Sequence, residues 1–180
     1  WCNVLANDGF GTIVSEAGLG FTWAVNSGEN RLTPWPNDPV CDSAGEVLYL
    51  RDETSSEIWS PTPAPMGGDQ ACQIRHAAGW TNWTTTSHGL DQIMCGFVPC
   101  ADPVKILTIK LKNRTGEHRR VTAPYYAQWL MGAMASRANP HTVCEYDAAN
   151  RAIVANNGWN PEFADRVAFL CATQPPHSVT

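Results

Sequence analysis

Between residues 104 and 112, Leu107, Ile109 and Leu111 fall on one side of an extended chain and Lys110 and Lys112 on the other. This period-two alternation marks a strand with one face in a core, because successive side chains of extended backbone point to opposite sides. Asn113-Arg114-Thr115-Gly116 supplies turn residues, and residues 120–130, rich in β-branched and aromatic side chains, are expected to return as the second arm of a hairpin. Shorter runs repeat the theme. Residues 12–15 and 21–25 flank a glycine-containing turn, and residues 46–51 form a strand closed by Asp52-Glu53-Thr54-Ser55. Ile58-Trp59 precedes a Pro/Gly loop at 61–68, and residues 142–146 and 152–156 flank a turn at 147–151. Residues 167–171 read as a last strand. No stretch carries helical periodicity, and no strand–helix–strand alternation occurs. The pattern predicts an all-β fold, an antiparallel β-sandwich, with residues 1–180 as one sandwich domain.

Composition narrows the function classes. The 180 residues are 43% hydrophobic and 16% charged, as expected of a globular chain with a real core. Twelve Lys+Arg stand against 17 Asp+Glu, a net charge of −5, which argues against nucleic acid as a partner because that needs a clustered basic surface. No apolar run approaches the roughly 20 residues of a membrane helix. The opening Trp1-Cys2-Asn3-Val4-Leu5 has no initiator Met and no leader pattern, so it carries no readable targeting signal. The seven cysteines are irregularly spaced and odd in number, which favours buried free thiols acting as small hydrophobes over a disulfide framework.

Residues 26–40, Asn-Ser-Gly-Glu-Asn-Arg-Leu-Thr-Pro-Trp-Pro-Asn-Asp-Pro-Val, differ in kind from the strands. They concentrate carboxamides, carboxylates, one guanidinium and one indole. Sugar sites need this mixture, because hydroxyls both donate and accept hydrogen bonds while the C–H face of the ring packs on an aromatic. Asn30, Arg31, Trp35, Asn37 and Asp38 are the candidate substrate-binding residues. The same composition also suits a surface loop pinned by Asx turns and by an ion pair from Arg31 to Glu29 or Asp38. Most of the eight tryptophans are expected in the core, and Trp80 and Trp83, three apart in a strand, should face opposite ways. Glu29, Asp38, Glu46, Asp52 and Glu57 are available for paired-carboxylate chemistry, but each reads more simply as a turn residue or solvated charge. The five histidines are scattered and make no metal-ligand spacing, so no metal and no cofactor is expected.

The loop, with Asn3-Val4-Leu5-Ala6-Asn7, Gly9-Phe10-Gly11, Val14-Ser15-Glu16 and Gly20-Phe21-Thr22-Trp23, resembles the amino-terminal supersandwich domain of glycoside hydrolase family 94. Asn37-Asp38-Pro39-Val40, Gly45-Glu46-Val47-Leu48-Tyr49-Leu50-Arg51-Asp52 and Ile58-Trp59-Ser60-Pro61 look nearest to its cyclic β-1,2-glucan synthase branch. Asn160-Pro161-Glu162-Phe163-Ala164 fits as well. Gly28 stands where the family usually has Arg, and Pro36 where it has Ser. The resemblance implies a non-catalytic sandwich of a β-glucan phosphorylase or cyclic β-1,2-glucan synthase. Inorganic phosphate would be a substrate bound outside this chain, and the general-acid Asp would lie in a separate (α/α)6 barrel. Expected partners are therefore a β-glucan or oligosaccharide and that barrel. The alternative reading is a free-standing carbohydrate-binding module. The family's sandwich continues beyond the equivalent of Thr180, so an open sheet edge and pairing into a homodimer are further expectations. Localisation is not readable from the residues; the resemblance implies the cytoplasm or the cytoplasmic face of the inner membrane if the chain is part of a phosphorylase or synthase.

Overall fold

The computed structural model describes residues 1–35, 38 and 43–180. Its strands are β1 (Cys2–Asn7), β2 (Phe10–Ser15), β3 (Leu19–Ala24), β4 (Glu46–Leu48), β5 (Leu50–Asp52), β6 (Ile58–Trp59), β7 (Cys72–Ala77), β8 (Trp80–Ser87), β9 (Leu90–Phe97), β10 (Ile106–Asn113), β11 (Val121–Thr122), β12 (Tyr125–Ala127), β13 (Thr142–Asp147), β14 (Ala152–Asn157) and β15 (Ala168–Cys171). A single turn of helix, α1 (Ala135–Ala138), precedes β13. The strands form five sheets, ordered β1-β2-β3, β10-β9-β8-β7, β11-β5-β6, β12-β4 and β13-β14-β15, and every pairing is antiparallel. The all-β antiparallel expectation holds.

The main core lies between the first two sheets. Leu5, Phe10 and Val14 from one meet Trp83 and Met94 from the other and Val98 just past β9, with Leu32, Leu48 and Ile109 at the margin. Trp83 is fully sealed, whereas Trp80, on the opposite face of the same strand, is 36% exposed, as their spacing requires. Only Trp59 and Trp83 of the eight indoles are fully buried, fewer than expected. The thiol expectation also needs correction: six described cysteines are free, but Cys72 and Cys95 are only half-buried and Cys2, Cys100, Cys144 and Cys171 are exposed.

Two strand expectations are overturned. Residues 120–130 do not return along β10, whose eight residues all pair with β9 instead. They divide into β11, which joins β5, and β12, which joins β4. Pro124 makes this break, because it has no N–H to continue a ladder, and its carbonyl accepts from the Tyr49 N–H at 2.8 Å. The expected single strand at 46–51 is split at the same Tyr49. Arg119 steers the segment: it donates from Nε to Asp52 Oδ2 at 2.7 Å and from Nη1 to the His88 carbonyl at 2.9 Å. Asp52 Oδ1 in turn caps the Thr54 and Ser55 amides, as its turn reading predicts, but the residue is buried rather than solvated.

Candidate functional site

The loop that follows β3 folds back along the free edge of that strand, Arg31 pairing with Trp23. Phe21 and Trp23, two residues apart, point outward together, with ring centroids 5.4 Å apart. Trp35 comes within 6.3 Å of Phe21, and the Arg31 guanidinium lies 5.1 Å from the Phe21 ring centroid, within reach of a cation–π contact. Two glycines make room for the indoles. A Cβ on Gly11 would sit 2.3 Å from the Trp23 ring, and one on Gly20 would sit 3.1 Å from the Trp35 ring. Where these strands lie, only a residue without a side chain lets an indole lie this close to the sheet.

Four of the five candidate residues lie among those described. Asn30 is buried, and its Nδ2 donates to the Ala24 carbonyl at 3.0 Å, which ties the loop to the end of β3. Arg31 is half-buried; its backbone pairs with Trp23 on one side and Gly132 on the other, and its Nε donates to the Ser27 carbonyl at 3.0 Å. That bond, rather than one to Glu29, pins the loop start. The expected Asx turn is present at Asn26, whose Oδ1 accepts from the Gly28 and Glu29 amides. Trp35 is half-buried on Phe21, and Asp38 is exposed. Asn37 lies outside the described residues. At the loop's neck Gly45 passes so close to Pro34 that a Cβ there would fall 2.2 Å from the Pro34 carbonyl oxygen.

Behind this surface lies a buried polar node. Glu46, expected as a solvated charge, is 3% exposed. Its Oε1 accepts from the hydroxyls of Thr22 and Thr33, both at 2.6 Å, and its Oε2 accepts from Tyr125 Oη at 2.8 Å and from Lys105 Nζ. Thr22 alternates with Phe21 and Trp23 along β3, and Thr33 sits between Arg31 and Trp35. The node thus fixes from the inside the two segments that carry the outer cluster. Burial pushes the Glu46 carboxyl up, but the Lys105 charge and the hydrogen bonds from Lys105, Thr22 and Thr33 outweigh it and hold the group below its ordinary value. Burial and the adjacent carboxylate push the Tyr125 hydroxyl well above its own. The ion pair therefore stays charged, satisfied by four donors on two oxygens, which is what a buried carboxylate needs.

Sequence reasoning missed this node. The available signal was an acidic residue opening the apolar Val47-Leu48-Tyr49-Leu50 run, where a solvated charge would be out of place. Among the described residues, every carboxyl whose affinity for protons is clearly shifted (Glu16, Glu46, Asp52, Asp91 and Asp147) is shifted down. These groups are held ionised, the opposite of what a general acid needs.

The whole of this arrangement, residues 1–180, matches the profile of the glycosyl hydrolase 94 supersandwich domain. The chain belongs to that family. It is 31% identical over 173 residues, 96% of its length, to the cyclic beta-(1,2)-glucan synthase NdvB of Rhizobium meliloti (strain 1021), of which it spans 6%. It is 24% identical over 88% of its length to an N,N′-diacetylchitobiose phosphorylase of Vibrio furnissii, of which it spans 20%. A 3-O-beta-D-glucopyranosyl-beta-D-glucuronide phosphorylase of Paenibacillus borealis is 27% identical over 82% of the chain and is spanned to 17%. The chain thus corresponds to the supersandwich portion of much larger family 94 phosphorylases and of a glucan synthase.

Proposed function

We propose that this supersandwich is a non-catalytic support for a separate catalytic barrel and lends its loop at residues 26–40 to the barrel's sugar site. The observation that carries the reading is the Arg31–Phe21–Trp35 cluster: a guanidinium and half-buried aromatic rings, held on glycine beds and braced from behind by Glu46. Rings and donors fixed in advance suit a pyranose, whose C–H face packs on aromatic carbon while its hydroxyls seek polar partners. The substrate class is a β-linked glucan or oligosaccharide, in keeping with the relatives' names.

The test is to incubate the purified chain with β-1,2-glucooligosaccharides or N,N′-diacetylchitobiose and inorganic phosphate, alone and with a family 94 catalytic barrel added. Sugar 1-phosphate should form only in the second case. Its release by the chain alone would refute the proposal, as would a barrel that works equally well without the chain.

A further inference from the structure

Trp159 is 61% exposed, second among the tryptophans only to the terminal Trp1. Exposed as it is, the indole is held in place. It stacks on the His141 imidazole at 4.7 Å between centroids and 11° between planes. Its backbone N–H donates to Asn157 Oδ1 at 2.9 Å, and Asn157 Nδ2 donates to the Met131 carbonyl at 3.1 Å. The next residue, Asn160, reaches the Glu29 carbonyl at 3.5 Å, so the segment that carries the indole meets the first arm of the candidate loop. Gly132, which follows Met131, pairs with Arg31. One run of contacts therefore joins Arg31 to Trp159.

We infer that Trp159, backed by His141, is a stacking platform for one pyranose ring of an oligosaccharide lying along this loop; the inference rests on the sugar-facing reading above. His141 occupies one face of the indole and the exposed surface leaves the other open. A pyranose C–H face matches such a flat apolar surface, and Asn160, the next residue of the chain, adds a carboxamide whose Nδ2 meets the Glu29 carbonyl. Five other indoles suit the role less well. Trp59 and Trp83 are sealed, Trp23 lies down on Gly11, and Trp80 is on the outer face of a different sheet. Trp35 contributes through Phe21 and is half-buried.

Calorimetric titration of β-1,2-glucooligosaccharides and of N,N′-diacetylchitobiose into the 180-residue chain tests this, alongside Trp159→Ala, Trp159→Phe and Trp80→Ala, each checked for native circular dichroism. The parent chain should bind one of the sugars at about millimolar strength. Trp159→Ala should weaken that binding about tenfold, and Trp159→Phe, which keeps an aromatic face, by much less. Trp80→Ala should leave it unchanged. Parent-like binding by Trp159→Ala would overturn the platform while leaving the loop reading standing. Absence of binding to the parent chain at tens of millimolar sugar would overturn both.

Discussion

Lys105 places its ammonium on Glu46 Oε2 where the two side chains are only 9% and 2% exposed, joining the segment before β10 to the start of β4 across 59 residues of sequence. Lys105 Nζ also donates to Thr22 Oγ1 at 2.7 Å, so the pair locks β3 as well. A buried pair adds little over a well-packed apolar replacement, but removing one member strands the other. Glu46→Ala should therefore cost about 3–5 kcal/mol, because it leaves a buried ammonium and three hydroxyls without their acceptor. The double variant Glu46→Ala/Lys105→Met should recover part of that loss. Urea unfolding measures both, and a double variant no more stable than Glu46→Ala would show that the pair does not act as a unit.

The same node sets a pH window. A carboxyl held below its ordinary value of 4.5 binds its proton less readily folded than unfolded, so protonation favours unfolding. Its stabilisation is complete above that value and is lost as pH falls through the folded value. Tyr125 has the opposite sign. Its hydroxyl is raised above 10.0, so its contribution is complete below that pH and is lost as pH climbs through the folded value. Thermal midpoints should form a plateau between about pH 5 and 9 and fall on both sides. In Tyr125→Phe the alkaline fall should shrink while the acid fall remains. An unchanged alkaline limb would remove Tyr125 from the account.

Gly11 and Trp23 give a local test of the outer cluster. A Cβ on Gly11 would fall 2.3, 2.7 and 2.8 Å from three atoms of the Trp23 ring, so Gly11→Ala must displace the indole. Trp23 also packs on Phe21, and the displacement should travel to Arg31 through that ring. The expected result is a changed near-ultraviolet circular dichroism with far-ultraviolet signal retained, and weaker sugar binding. Arg31→Ala should weaken sugar binding without the near-ultraviolet change at Trp23. Native near-ultraviolet signal in Gly11→Ala would mean that the indole has room to spare.

How far the fold was legible followed the chemistry of the inward faces. The β13–β14 hairpin and β2–β3 were readable because apolar residues alternate there with turn residues between them. The long strands β8 and β9 were not singled out, because their inward positions are mixed: Thr81, Trp83, Thr85 and Ser87 on one, Leu90, Gln92, Met94 and Gly96 on the other. Those polar groups are satisfied internally, as when Gln92 donates to Ser87 Oγ at 2.7 Å and accepts from Trp59 Nε1 at 3.0 Å, and a hydrophobic pattern cannot register such pairs. At the site, Arg31 and Trp35 were legible as a polar loop's guanidinium and indole. Glu46, Phe21 and Trp23 were not, since their role depends on which strands meet.

Arg119 decides which strand the segment after β10 joins, and this is open to direct measurement. Its guanidinium reaches Asp52 and the His88 carbonyl together, and just beyond it the Arg120 carbonyl accepts from the Glu53 N–H at 3.0 Å. The β11–β5 ladder that follows pairs only Val121 with Asp52 and Thr122 with Arg51, too few residues to hold without an anchor. Arg119→Ala should therefore speed hydrogen exchange at the Glu53 amide while leaving the eight-residue β9–β10 ladder protected. Arg119→Lys should fall between the two, because an ammonium cannot span both acceptors with fixed forked geometry. If exchange at Glu53 is as slow in Arg119→Ala as in the parent chain, the strand change is set by Pro124 alone and Arg119 only decorates it.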